Sequence, residues 1–179
     1  MEIAEKLAGY VHSFDFRKLS SGTVSETKRH FIDSMGCMFG SLKEPTIQKL
    51  RKNLNYDNVL DKTFMVGSGI RYFDFNDTYL AKEPAHPSDN ISALLSLAMT
   101  RNCSGKDLIS AIALAYEIQC RLCDAGSLRK MGWDHVTYIP VSVACGASKL
   151  LNLNLEQTRN AIALAVTSGT SLRQTRVGA

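Results

Sequence analysis

Between positions 71 and 90 the chain reads RYFDFNDTYLAKEPAHPSDN, which brings Asp74, Asp77, Thr78, Lys82, Glu83 and His86 into one short stretch. Connections in compact domains are usually short and carry glycine, serine or single charges. A stretch mixing acid, base, hydroxyl and cation, interleaved with aromatic residues, is therefore a candidate site. Asp74 and Thr78 are four apart and would share a face if the segment were helical. Thr78 could then bind a carboxylate while Asp74 orients, or exchanges a proton with, a neighbour; the plainer alternative is a capping aspartate and a solvent-facing threonine. Asp77 reads as a structural cap or salt-bridge partner. His86 precedes Pro87, which disfavours helical backbone at the histidine and holds the imidazole in an extended turn at a helix entrance. A side chain that titrates near neutrality suits proton transfer there. His135 follows Gly132-Trp133-Asp134 and is either a second imidazole of the site or a loop histidine held by Asp134. Lys82 could meet a ligand carboxylate or pair with Glu83 or Asp77 in solvent, and Arg173 and Arg176 are equally open.

The elements that must position these groups are helical by periodicity. Ile3, Leu7, Tyr10, Val11 and Phe14 lie on one face of a first helix, and Phe31, Ile32, Met35 and Phe39 mark the stripe of a second that starts near Thr23 or Ser25. Gly36 and Gly40 would allow close helix contact, and a shorter helix follows Pro45 with Ile47 and Leu50 inward. Residues 53–72 are the least regular part, where 64–67 could be a short extended piece or a helix start. Beyond the 80–88 loop the chain repeats itself. Ala111-Ile112-Ala113-Leu114-Ala115 recurs as Ala161-Ile162-Ala163-Leu164-Ala165, and Ser104-x-x-Asp107 and Asn154-x-x-Gln157 both read as capping-box helix starts. Helices at about 89–101 and 138–151 precede these starts, each behind a histidine. The expected fold is all-α, a bundle of stacked antiparallel helix pairs duplicated over about 86–120 and 135–170, in a single helical domain over 1–179. Parallel packing of the two copies would bring His86 and His135 to one edge. Free amides at the helix start near Ser88 and Asp89 would then favour a carboxylate ligand.

Composition excludes several classes. An apolar fraction of 45% and a charged fraction of 21% are ordinary for a globular protein. The net charge of +4 comes from dispersed cations, without the basic block that nucleic-acid binding would need. No apolar run approaches the roughly 18–20 residues of a membrane span, and the charged amphipathic start is not a signal peptide. Five cysteines, odd in number and mostly in apolar helical contexts, suit reduced thiols in the cytoplasm. Cys120-x-x-Cys123 lacks the further ligands zinc requires and lies within a helix, whereas redox pairs usually open one. No glycine-rich phosphate loop or nucleophile elbow is present.

Asp74-Phe75-Asn76-Asp77-Thr78 followed by His86-Pro87-Ser88-Asp89-Asn90 closely resembles the MmgE/PrpD family, which includes 2-methylcitrate dehydratases and cis-aconitate decarboxylases. Gly132-Trp133-Asp134-His135 and Arg173-Gln174-Thr175-Arg176 extend the resemblance, which runs from about Ile3 to the last residue. It implies a metal-free lyase without cofactor, dehydrating 2-methylcitrate (or citrate) to the corresponding cis-aconitate in propionate breakdown, with His86, His135 and Asp74 as catalytic groups and Thr78 and Lys82 as substrate-binding groups. The motif wording is nearer the dehydratases than the decarboxylases. The family pairs a helical domain, assembled from both ends of a longer chain, with a smaller lid domain, and its members are commonly homodimers. The 179 residues would then be the first helical part, without the lid or a downstream lysine, weakly active or inactive alone and exposing apolar helix faces. Decarboxylation of a related acid and a non-catalytic helical interaction module are the alternative readings.

Overall fold

The structure, a computed structural model, describes residues 3–178. Among these, nine α-helices follow in order: α1 Ile3–Ser13, α2 Ser21–Ser41, α3 Pro45–Asn53, α4 Val59–Arg71, α5 Asp89–Thr100, α6 Gly105–Ala125, α7 Tyr138–Leu150, α8 Leu155–Ser168 and α9 Arg173–Val177. Short 3₁₀ turns stand at Phe16–Lys18, Arg129–Met131 and His135–Thr137. The only strand-like pairings among the described residues are two isolated antiparallel bridges, Tyr79 with Ala85 and Trp133 with Leu172. The all-α expectation holds.

The duplication is built from one local device used twice. In the α5–α6 hairpin Asn102, and in the α7–α8 hairpin Asn152, adopts φ of 52°. Asparagine tolerates this left-handed conformation better than most residues. The turn it makes lets the Cys103 amide bond the Ala98 carbonyl at 2.9 Å, and the Leu153 amide the Ser148 carbonyl at 3.0 Å. Each returns an orphaned carbonyl of the finished helix to a donor. The next helix then opens on a reciprocal capping box, Ser104 with Asp107 and Asn154 with Gln157.

The two copies are not buried equally. Residues 111–115 of α6 are buried without exception, whereas Leu164 in the matching stretch of α8 is 68% exposed. The α6 helix serves two apolar clusters. Ala111, Ile112 and Ala115 pack with Ile70, Ile91, Leu94, Ala98 and Leu150. Leu114 and Ile118 point the other way, to Ala8, Val11, Val141, Cys145 and Ile162. A helix apolar on two faces must sit inside the bundle, and α7 packs against it and against α5, α8 and α1.

A buried polar set locks α5, α6 and α7 together. The Asn90 amide nitrogen donates to the Pro87 carbonyl at 2.8 Å and to the Gln119 side-chain oxygen, and the Ser142 hydroxyl meets Asn90 Oδ1 at 2.7 Å. All three side chains are inaccessible to solvent.

Three expectations need correction. Residues 59–71 form a regular helix, opened by Asn58, whose side chain accepts the Leu60 amide at 2.8 Å. In α2 the buried stripe is Thr27, Ser34 and Ser41, with Phe31 and Met35 partly covered, while Ile32 and Phe39 are exposed. Small hydroxylated residues face inward because α4 approaches closely: a Cβ on Gly69 would stand 3.0 Å from Met38 Cγ and 3.2 Å from Ser41 Oγ. The close contact thus uses Gly69; Gly36 and Gly40 face open space.

These glycines give a paired prediction. A methyl on Gly146 of α7 would meet Leu94 Cδ2 at 2.8 Å and the Ala111 carbonyl at 3.0 Å, so Gly146→Ala is expected to destabilise by about 1–3 kcal/mol through overpacking. Gly36→Ala, unobstructed within α2, is expected to stabilise by roughly 0.5–1 kcal/mol. Urea unfolding of both variants checks the signs.

Candidate active site

Asp74 and Thr78 do not share a helix. The α4 helix ends at Arg71, and residues 72–88 form an irregular loop in which Asp74 takes φ of 57°. A non-glycine residue in that region is strained and needs its surroundings to hold it. Arg71 does so. Its Nη1 lies 2.8 Å from Asp74 Oδ1 and donates to Asn76 Oδ1 at 3.0 Å, while its Nε stands 3.5 Å from Asp89 Oδ1. One guanidinium therefore gathers both ends of the loop, as its forked donors allow.

The two histidines meet. Their ring centroids are 6.1 Å apart, tilted by 58°, and both side chains are largely buried, at 18% and 14% exposure for His86 and His135. His86 Nδ1 sits 2.7 Å from the Asp77 carbonyl and 3.4 Å from Thr78 Oγ1, and its Nε2 faces Asp74 Oδ1 at 3.9 Å.

His135 is set by its neighbour. Asp134, 1% exposed, places Oδ1 3.2 Å from His135 Nδ1 and accepts the Val136 amide at 3.1 Å on the same oxygen. Its Oδ2 accepts Arg176 Nε at 2.7 Å. Burial pulls the Asp134 carboxyl upward, but the amide, the guanidinium and the imidazole together outweigh it and hold the acid below its ordinary range. For His135 the balance runs the other way: burial, with Arg176 and His86 nearby, lowers its pKa despite Asp134. The lowered value keeps the ring neutral at pH 7, and because a carboxylate only accepts, a hydrogen on Nδ1 beside Asp134 would leave Nε2 with the lone pair. That nitrogen is buried and has no hydrogen-bond partner among the described residues.

The two loops are pinned by Glu83, which is fully buried. It accepts the Ser127 hydroxyl at 2.8 Å and the Arg129 amide at 3.1 Å, and its other oxygen is 3.0 Å from Arg129 Nε. The bridge between Trp133 and Leu172 brings α9, and with it Arg176, onto the second loop.

Beside the histidines opens a cleft of about 730 Å³, lined by α4, α5 and α7 and reached by Arg71, Ser88, Asp89, Val136, Ile139 and Arg176. Its cationic character comes from the two arginines and not from the start of α5. The Ser88 amide is held by Asp77 Oδ1 at 2.9 Å, and the amides of Asp89, Asn90 and Ile91 bond back to His86, Pro87 and Ser88 at 2.9–3.1 Å. The expected free amides are already used. Arg71 and Asp89 were not singled out in the sequence, although a basic residue in the last turn of α4, three before Asp74, was a readable signal. Thr78 and Lys82 are exposed, and the cleft lining holds none of Asp74, Thr78, Lys82, His86 and His135 but does hold their neighbours Arg71, Ser88, Asp89 and Val136. Arg173 lies on α9 with its amide bonded to the Gly132 carbonyl at 3.0 Å. Cys120 and Cys123 lie within α6, where burial pushes their thiols up to about 12 and about 11, so neither is a nucleophile at neutral pH.

Asp89 carries a pH dependence. Burial raises its carboxyl to about 6, against the pull of Arg71 and His86, and its Oδ1 accepts no hydrogen bond. The folded protein therefore holds this proton more tightly than the unfolded chain does. The resulting stabilisation is complete below pH ~4 and is lost as pH rises to about 6, amounting to up to ~3 kcal/mol. Asp89→Asn is expected to remove that slope and to raise stability at pH 7.5 by about 1–2 kcal/mol, measured by urea unfolding at pH 4.5 and 7.5.

Known proteins resemble this chain along most of its length. The chain is 32% identical to a probable 2-methylcitrate dehydratase of Saccharomyces cerevisiae over 98% of its own length and 39% of that protein. It is 31% identical to the mitochondrial 2-methylcitrate dehydratase of Yarrowia lipolytica, covering 98% of this chain and 38% of the relative. The 2-methylcitrate dehydratase of Escherichia coli K12 is 30% identical over 95% of the chain and 40% of the enzyme. The chain thus spans about two fifths of the length of the curated relatives it matches. The sequence model of the MmgE/PrpD N-terminal domain matches residues 57–179, which include the irregular loop, both histidines and both cleft arginines. On this match the chain is a member of the MmgE/PrpD family.

Proposed function

We propose that the chain supplies the proton-transfer and carboxylate-binding side of a hydro-lyase acting on 2-methylcitrate, as the first helical part of the family's large domain, completed by a lid domain. The observation that carries the reading is the pair of facing imidazoles beside a cleft walled by Arg71 and Arg176. A tricarboxylate needs fixed cations, and guanidinium forks match carboxylates in geometry and charge. Thr78, 3.4 Å from His86 Nδ1, would add a contact to the same ligand.

The reaction requires loss of a proton from carbon beside a carboxylate and loss of hydroxide from the neighbouring carbon. His135 Nε2, neutral and unpartnered, takes the proton as the C–H electron pair becomes the new double bond. The C–O bond breaks, and an imidazolium at His86 gives its Nε2 proton to the departing oxygen, so that water leaves. The Asp74 carboxylate, 3.9 Å away, orients that ring. Exchange with solvent restores both imidazoles. Positioned acids and bases each contribute typically 10²–10⁴-fold to such steps. The five free cysteines support a reducing compartment such as the cytoplasm.

Titration of this chain with 2-methylcitrate, followed through the His86 and His135 ring resonances, is expected to saturate. Arg71→Ala should weaken it at least about 10-fold, the loss of one charge-assisted hydrogen bond. In a product assay on the full-length protein, with 2-methylcitrate, citrate and cis-aconitate side by side, turnover is expected for 2-methylcitrate and should collapse in His86→Ala. No saturable binding by the unaltered chain, or full turnover by a folded His86→Ala, defeats the proposal.

One observation supports a second role as an interaction surface. Ile32 and Phe39 of α2 and Leu164 and Val166 of α8 are exposed, and large contiguous apolar patches left exposed mark interaction sites. Homodimerisation is the expected use. Light scattering at tens of micromolar should give twice the chain mass, and Leu164→Glu should return a monomer; a monomeric unaltered chain counts against it.

A further inference from the structure

Asp77 takes no part in the proton transfer just described, yet four residues converge on it. Its carbonyl is the closest partner of His86, 2.7 Å from Nδ1. Its carboxylate is held from three directions. Oδ1 accepts the Ser88 amide at the start of α5 at 2.9 Å. Oδ2 accepts the Tyr116 hydroxyl of α6 at 2.9 Å and faces His30 Nδ1 of α2 at 3.5 Å. The His30 and Tyr116 rings lie 5.2 Å apart and pack on one another. Tyr116 keeps its hydroxyl proton, because burial and the adjacent carboxylate both push its pKa upward, so it is a permanent donor. Residues from three helices thus fix a single aspartate within an otherwise irregular loop.

The consequence falls on His86. A backbone carbonyl can only accept, so the ring nitrogen facing it must carry the hydrogen, and the bond made by one nitrogen sets the state of the other. The neutral ring is then the Nδ1–H tautomer, and every proton given or taken must pass through Nε2, on the side of Asp74. A carbonyl displaced by an ångström or rotated away would release the ring to the tautomer with its hydrogen on Nε2, which presents no lone pair there.

We propose that Tyr116 and His30 are positioning residues that act through Asp77 to hold His86 in the Nδ1–H tautomer, with Nε2 towards Asp74. The inference rests on the reading of His86 as a proton-transfer group only for its meaning; the tautomer itself is a property of the free chain. Neither Tyr116 nor His30 lines the arginine cleft. Both line a separate cleft of about 360 Å³ between α2 and α6, so neither is a catalytic residue.

The test is a long-range proton–nitrogen correlation spectrum of the ¹⁵N-histidine-labelled 179-residue chain above the titration of its rings, without ligand. The expected His86 pattern is a protonated Nδ1 and an unprotonated Nε2. Tyr116→Phe, which keeps the ring and removes the donor, should shift a substantial fraction of His86 to the Nε2–H form while the His135 pattern stays in place. His30→Gln, which keeps a donor, should leave His86 near its original state, whereas His30→Ala should shift it. An Nε2–H tautomer in the unaltered chain overturns the proposal, as does a His86 pattern indifferent to Tyr116→Phe. Should Tyr116→Phe unfold, Asp77→Asn, which retains the backbone carbonyl and weakens the three-way hold, is read in the same way. A chain that shows the expected tautomers but binds no 2-methylcitrate would fail the functional reading and leave this one standing.

Discussion

The buried contact among Asn90, Gln119 and Ser142 is the constraint on which the site depends. Asn90 follows His86 by one turn of chain, and Ser142 follows His135 by seven residues. Joining their side chains across α6 fixes the start of α5 against the start of α7. Apolar packing alone would let these helices slide, since it is non-directional. Hydrogen bonds in a solvent-free interior do not, because an unmade bond there costs about 1–3 kcal/mol. The polar set therefore converts two hairpins that merely pack into two that are registered. His86 and His135, each at the head of its hairpin, arrive face to face as a result.

Around that register the loops are stiffened by buried carboxylates, each with its own donors. Glu83 ties the first loop to the second, Asp134 ties the second loop to α9, and Asp77 ties the first loop to α2 and α6. Removing either partner of such a pair strands a charge in low dielectric, which costs more than the pair contributes. The irregular backbone of 72–88 is thus held by charge placement in place of secondary structure, and this is why so many acids occur in so short a stretch.

Much of this was legible beforehand, and the failures have physical reasons. The duplicated hairpins, their capping boxes and the convergence of the histidines followed from periodicity and from Ser104, Asp107, Asn154 and Gln157, all local signals. The buried face of α2 was misread because Ile32 and Phe39 look like core, whereas the close approach of Gly69 admits only the small Ser34 and Ser41. The α5 amides were expected to be free because a helix start usually leaves them so; the Asp77 carboxylate and the tight turns from His86 to Ile91 take them up. Arg71 escaped notice, and Glu83 was read only as a solvent partner of Lys82, because their importance lies in partners distant along the chain or hidden by burial, which no spacing rule records.

The cleft also bears on how the protein can change over time. His135 Nε2 and Asp89 Oδ1 are buried without hydrogen-bond partners among the described residues, and a buried polar atom in that condition lowers stability. An apolar group of the same shape at either spot would make the fold sturdier. Under the proposed hydro-lyase reading, selection for robustness and selection for binding pull these two positions in opposite directions, whereas the interior of the hairpins is free of that conflict.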